Sequence, residues 1–415
     1  MPEPGAETKS TSWRTLGWSF YLACSWTWCI GMFLPVLMVR DYGVWGFVVF
    51  AIPNVIGAGA FAWVLRTPEA SAALVALHAP AMRAFSMVTI AFHLFFLLYA
   101  LTWLGPLQGG LVPLAWMPAS VVVLLLVGAA GVRGGGTARM AVAAWVLSVL
   151  AFVVAWAFGG LDTSAFARAH ADGPAPGLLW LAPVCVIGFT LCPYLDLTFH
   201  RTRQACEGAS GRAAFGVGFG VLFVVMILLT PGYASLFDPP GFRDWAWPAF
   251  LLTALPILVH GLNQAYVTSG WHLERLVSTG SKPVAGTGRR SFKWVAGTVV
   301  LLFVLYPVLA LAPAYKGMAL GEVIYRCFMG FYGLVFPAYV WLLMVPTRDG
   351  HSGLDGRQGR WKLRVLWLAV GIAAPMFWLG LIEGREVWLG PGVLVVLAAR
   401  AVAAGGRARP GIDHA

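Results

Sequence analysis

The chain has 415 residues, 59% of them hydrophobic and 11% charged, with mean hydropathy +0.78 and a formal net charge of +11. Soluble domains run about 45–50% apolar and about 25% charged, so this composition excludes an ordinary soluble protein and predicts an integral membrane protein with little left for a soluble domain. The positive charge raises nucleic acid as a partner, but the basic residues fall between apolar stretches, which points away from it.

In chain order, the polar start MPEPGAETKSTSWR precedes a long apolar stretch and carries no signal-peptide cleavage pattern. Runs of about 20 apolar residues mark membrane helices. They predict twelve spans: 13–38, 43–66, 84–108, 111–131, 138–160, 178–200, 213–235, 247–270, 293–314, 318–346, 362–382 and 386–404. The segment TPEASAALVALHAPAMR (67–83) reads as an interfacial helix or part of the third span. The loop 161–177, rich in Ala, Asp, Gly and Pro, is expected to be exposed, and 349–360 and 405–415 are polar and Gly-rich.

The basic residues support this count. With the N-terminus in the cytoplasm, the tail, the even-numbered loops and the C-terminus hold 22 of the 28 Lys and Arg. The odd-numbered loops hold Arg40, Arg168, Arg243, Lys316 and Arg385, and Arg326 falls within a span. That bias is the positive-inside rule. It predicts a multi-pass protein of a bacterial cytoplasmic membrane with both termini cytoplasmic. The six cysteines (24, 29, 185, 192, 206 and 327) lie in or beside spans without a pairing pattern. They read as free core residues, with no disulfide framework and no zinc site.

Two spans are interrupted. The first, YLACSWTWCIGMFLPVLMVRDYG (21–43), holds Ser25, Thr27, Gly31 and Pro35. The sixth, APVCVIGFTLCPYLDLTFHRTR (182–203), holds Gly188, Thr190, Pro193, Asp196 and His200. Proline removes a backbone donor, and freed carbonyls in lipid need another partner. Proline and glycine are also common in membrane helices. Yet two such spans, five apart, point to an inverted-repeat transporter with its site at the breaks. The expected fold is all-α, with about twelve membrane helices in a five-plus-five repeat and two appended helices. The divisions are 1–12 (cytoplasmic tail), 13–160 (first repeat), 161–177 (loop), 178–346 (second repeat), 347–404 (appended helices) and 405–415 (tail).

ACSWTWCIGMFLPVLMVRDYGVWGFVVFAIPNVIG, CPYLDLTFHRTRQA and LVHGLNQAYVTSGWHLERL resemble the first and second, sixth and eighth core helices of the solute:sodium symporter family. The related amino-acid permease families share the IGMFLP-like pattern. The resemblance covers roughly 13–346 and implies a secondary transporter. It departs from the family in lacking a leading helix. In the family, a sodium ion is held by backbone carbonyls of the first helix and hydroxyls of the eighth. Here the carbonyls would come from Ala23 and Trp26, while the hydroxyl positions fall near His260 and Gly261. Sodium prefers oxygen ligands. The nearest hydroxyls are Thr268 and Ser269, and a protonatable His260 suggests proton coupling or an uncoupled carrier. The coupling ion, Na+ or H+, is the only cofactor expected.

Single polar residues sharpen the expectation. Asn54 and Asn263, the two asparagines, both fall within spans, where an amide serves as helix glue or as a site residue. His93 and His260 lie on the counterpart third and eighth spans. Asp196 and His200 are four apart and share a helix face, as an ion-paired gate or a proton relay; Glu322 and Arg326 repeat that spacing. No catalytic motif, metal-ligand pair or phosphate loop occurs, and the Gly-rich GVRGGGTAR (131–139) follows no strand. An enzyme is not expected.

The expected function is secondary transport of a small polar solute by alternating access, through a site between helices 1, 3, 6 and 8. The candidate solute residues are Ser25, Thr27, Trp28, Gly31, His93, Gly188, Phe189, Thr190 and Asn263, with Trp28, Phe189 and Tyr332 as closing aromatics. The candidate ion residues are Ala23, Trp26, His260, Thr268 and Ser269; the gate is Asp196, His200, Glu322 and Arg326. The alternative is a transporter-like sensor or scaffold that has lost transport. Partners are a small solute and the lipid bilayer.

Overall fold

The computed structural model describes residues 4–27, 29–102, 137–159, 175–230, 255–278, 312–346 and 356–405, with isolated positions at 232, 252, 297, 301, 304, 308 and 309. Among them the fold is helical and contains no strand. The predicted fourth span (111–131), most of the ninth (293–314) and the loop 161–174 lie outside the described residues.

α1 (Pro4–Trp26) and α2 (Cys29–Gly59) follow one another across Thr27. α2 bends at Gly43, where φ is 66°. Glycine takes that backbone freely. The chain turns so tightly that a Cβ on Gly46 would meet the Met38 carbonyl oxygen at 2.2 Å. α3 (Pro68–Thr102) takes in the segment read as interfacial and kinks at His78, two residues before Pro80. α4 is Thr137–Gly159, and α5 is Pro176–Leu191. A 3-10 turn, Cys192–Leu195, leads from α5 into α6 (Leu197–Ala205).

α7 (Gly208–Leu229) contains a π turn at Gly218–Phe223. α8 is Leu255–Ser278. α9 (Leu320–Met344) contains two π turns, Phe331–Val335 and Val340–Met344. α10 (Gly356–Leu381) and α11 (Leu389–Gly405) complete the fold.

Eight helices among the described residues are long and apolar enough to cross a bilayer. Their outward faces are apolar: Trp156 is 68% exposed, Leu368 64% and Leu394 64%. The interior holds Ser25, Asn54, His93, Asp196, Gln264 and Thr268, all buried. Polar groups inside and apolar groups outside suit a lipid surround, where backbone and polar side chains must find partners within the protein. The chain is a multi-pass helical membrane protein.

Packing brings distant segments together at small residues. α1 lies on α4 and α7, α8 on α3 and α4, and α2 on α5. A Cβ at Gly57 of α2 would meet the Phe189 carbonyl oxygen of α5 at 2.4 Å. Glycine at such a crossing lets two backbones approach closely.

Candidate functional site

Both interrupted spans are broken, the first about one turn before Gly31 and the second at Pro193 itself. Gly31 and Pro35 are helical and buried inside α2; the first break is at Thr27. There the Thr27 hydroxyl donates to the Ala23 carbonyl at 2.7 Å, alongside the Thr27 N–H at 3.0 Å. A carbonyl has two lone pairs, so Ala23 is already satisfied and is not an open cation ligand. Ser25 likewise donates to Leu22 O at 3.1 Å. Thr268 of α8 reaches α1, donating to Cys24 O at 3.2 Å. Trp28 lies outside the described residues.

The second break falls at Cys192–Asp196, after the expected Gly188. The Gly188 carbonyl accepts from the Cys192 N–H, so it is not freed. Gly188 instead serves packing, since a Cβ there would meet Tyr332 O of α9 at 2.8 Å. The break has a defined end. Asp196 is extended (φ −83°, ψ 111°) and caps α6, accepting from the Thr198 N–H at 2.7 Å. A side-chain acceptor at that position satisfies one of the helix's orphan donors.

This corrects the expected Asp196–His200 pair. Asp196 precedes the helix, and the two side chains face different neighbours. His200 contacts Ser71 Oγ of α3 at 2.8 Å and the Tyr194 carbonyl at 3.0 Å. Asp196 instead faces Thr198, whose hydroxyl lies 2.7 Å from Oδ1, and His272 of α8, whose Nε2 lies 3.9 Å from Oδ2. His272 Nδ1 meets Ser86 Oγ of α3 at 3.0 Å. Asp196, Thr198, His272 and Ser86 are all fully buried. Thr198 Oγ1 also lies 3.1 Å from Ser25 Oγ, next to the first break. The two breaks therefore meet at a polar cluster shared by α1, α3, α6 and α8.

A cavity of about 90 Å³ lies beside the breaks, bounded by α2, α5, α9 and the α10–α11 turn. That is room for several waters or a small solute. Its walls are mostly apolar: Ile30, Leu34, Leu37, Met38, Leu181, Val184 and Met329. One end carries Trp26, Asn54, Cys192 and Tyr332. Trp26 Nε1 donates to Asn54 Oδ1 at 2.6 Å. An indole only donates, which fixes the amide orientation and leaves the Asn54 nitrogen as the donor on that side.

The other end of the cavity is charged. Arg40 donates twice to Glu322, at 2.9 and 2.7 Å, and once to Asp41 at 2.7 Å. Arg326 donates to Glu322 at 2.8 Å and to Asp41 at 2.6 Å, which ties α2 to α9. Nearby, Tyr42 donates to Glu386 at 2.9 Å. The expected Glu322–Arg326 pair is thus half of a four-residue cluster. A second charged tie lies beyond the breaks, where Arg201 of α6 donates to Glu274 of α8 at 2.6 Å.

Of the other expected site residues, only Trp26, Gly188 and Phe189 line the cavity, with the closing aromatic Tyr332. Ser25, Thr27 and Thr268 lie at the first break. Gly31 faces Phe223 of α7, and Thr190 donates to its own helix at Val186 O, 2.6 Å. Asn263 donates to Ala144 O at 2.7 Å and Ser148 at 3.0 Å, bridging α8 to α4. His93 meets Thr89 O at 2.7 Å, within α3. His260 is buried against Phe152, and neither ring nitrogen nor Ser269 Oγ has a hydrogen-bond partner among the described residues.

His272, Ser86, Thr198, Arg40 and Asp41 were not singled out from the sequence. One signal was available: Gln264, Thr268 and His272 form a stripe at i, i+4 and i+8 on α8, and all three are fully buried. No cluster of three or more His, Cys, Asp or Glu suited to a metal occurs among the described residues. No family model matches the chain, and no curated protein matches it.

Proposed function

We propose that the protein is a secondary carrier that moves a small solute across a bacterial cytoplasmic membrane by alternating access. The supporting observation is the meeting of two broken helices, at Thr27 and at Cys192–Asp196, beside a cavity. Discontinuous helices that expose backbone ends beside a cavity are how such carriers hold solute and coupling ion. On this reading the chain has twelve spans, with helices 1–5 and 6–10 as inverted repeats, both termini cytoplasmic, and a distant likeness to the solute:sodium symporters.

The cavity lining favours a solute with an apolar body and one hydrogen-bonding end. The apolar walls would hold the body, and the Asn54 amide beside Trp26 would meet the polar end. The Arg40–Asp41–Glu322–Arg326 cluster and the Arg201–Glu274 pair, both formed in this conformation, would be the two gates.

Uptake into proteoliposomes tests the proposal, with labelled amino acids, organic acids and sugars as the panel. Saturable uptake that falls at least about tenfold in Trp26→Ala is expected. Neither flux nor binding across the panel would leave a scaffold as the better reading.

A further inference from the structure

Asp196 carries more than a helix cap. Its Oδ1 is occupied by the Thr198 N–H and hydroxyl, both at 2.7 Å. Its Oδ2 is buried and accepts no hydrogen bond among the described residues. The group facing Oδ2 is the His272 imidazole, 3.9 Å away and just beyond hydrogen-bond reach. Both side chains are fully buried. Among the described residues no Lys or Arg forms an ion pair with Asp196. Arg201, on the same helix, is engaged with Glu274 and lies over the Tyr21 ring at 5.6 Å.

We infer that Asp196 and His272 form a proton-binding site, and that a single proton held between them is the ion to which the helix breaks respond. A carboxylate beside a neutral imidazole carries one net negative charge. An unpaired buried charge is costly. Binding one proton as an O–H on Asp196 Oδ2, the oxygen that faces His272 Nε2, makes the pair neutral overall. Releasing it restores the charge, which favours a more hydrated arrangement. The pair is placed to convert that change into movement: Asp196 is the junction between the α5 break and α6, and His272 stands on α8.

Several other titratable groups of the described residues surround the pair. Tyr21 of α1, Tyr332 of α9 and Cys192 of its own turn lie within electrostatic range of the carboxylate. His93 of α3 lies within electrostatic range of His272. Arg275 of α8 acts on Tyr21. A sodium ion suits the site less well, because an imidazole is not a ligand of choice for a hard cation.

This inference names the coupling ion of the proposed carrier, but its test needs no transport. Infrared difference spectra of the full-length protein in lipid would be recorded during a pH titration without Na+. A carbonyl stretch of a buried protonated carboxyl is expected to grow as pH falls. Asp196→Asn, which keeps the capping oxygen, should abolish it. His272→Gln should move its midpoint by about one pH unit or more, while His260→Gln should leave it in place.

If Asp196→Asn does not fold, the His272→Gln and His260→Gln pair still decides the matter. The inference is overturned if no such band appears, if the band survives Asp196→Asn, if His272→Gln leaves its midpoint unchanged, or if the band answers to Na+ at fixed pH. A titrating band with no flux for any solute would leave the proton site standing and remove the carrier.

Discussion

Thr198 Oγ1 lies 3.1 Å from Ser25 Oγ, so one hydroxyl at the start of α6 touches the end of α1 as well as its own cap. A hydroxyl has one proton. Ser25 gives its own proton to Leu22 O, so the Thr198 proton is shared between Asp196 Oδ1 at 2.7 Å and Ser25 Oγ. Thr198→Val keeps the shape and removes this link. It is expected to cost about 1–2 kcal/mol in stability, read by thermal unfolding in detergent, with Thr198→Ser close to wild type. An unchanged melting temperature in the valine variant would show that the hydroxyl does not join the two breaks.

The charged cluster at the cavity mouth joins residues 282 positions apart, Arg40 and Glu322. Glu322 accepts from both Arg40 and Arg326 and is 5% exposed. Glu322→Gln removes the charge at the centre of the cluster and should destabilise by about 1–3 kcal/mol. A double-mutant cycle of Arg40→Met and Glu322→Met should give a coupling of about 1 kcal/mol or more. Additive losses would mean that the pair is not formed in solution.

Gly57 and Gly371 should respond oppositely to alanine. At Gly57 the added Cβ would lie 2.4 Å from Phe189 O, a backbone atom that cannot turn aside. Gly57→Ala should therefore separate α2 from α5 and destabilise by about 1–3 kcal/mol. At Gly371, inside α10, a Cβ meets nothing within 4 Å. Gly371→Ala should be neutral or stabilising, by at most about 1 kcal/mol. Equal melting temperatures for the two variants would contradict the close approach.

A pH-dependent clasp lies outside the membrane-spanning segments. Tyr315 and Met318 exchange backbone hydrogen bonds, and Lys316 and Gly317 between them have φ of 50° and 80°. That is the geometry of a two-residue hairpin turn. Lys316 and the Tyr315 hydroxyl both bond Glu383 and hold its carboxyl down, from an ordinary 4.5 to about 2. A depressed carboxylate contributes stability above its unfolded value and loses it as pH falls through the folded one. The melting difference between wild type and Glu383→Gln should be constant above about pH 4.5 and vanish towards about pH 2. Lys316→Asn suits the turn but should shrink that difference above about pH 4.5.

Gly and Pro in two spans gave the existence of the breaks, because those residues weaken a helix wherever they sit. The second break falls at Pro193 itself, while the position of the first was set by competition. Pro35 forfeits one hydrogen bond and stays helical, while Thr27 turns its hydroxyl onto Ala23 O beside the break. Asp196 was conspicuous as an acid in an apolar stretch, yet its facing group is 76 residues away on α8, and sequence spacing pairs only neighbours on one helix. The Glu322–Arg326 pair was legible for that reason; Arg40 and Asp41 were not. The polar residues of α8 divided in the same way. Asn263 turned out to bridge helices, whereas Thr268 and His272 on the other stripe reach the breaks.

Arg203 on α6 is buried, and its guanidinium donates to the carbonyls of Leu65, Arg66 and Cys206. On the same short helix, His200 and Gln204 both engage Ser71 at the start of α3. α6 is therefore riveted to the 65–71 corner while its other end meets the 3-10 turn Cys192–Leu195 through the extended Asp196. Any rotation about that junction moves α6 and the corner together as one lever, and swings the approach to α3 with it. A conformational change at the break reaches a strip of surface that holds no part of the cavity.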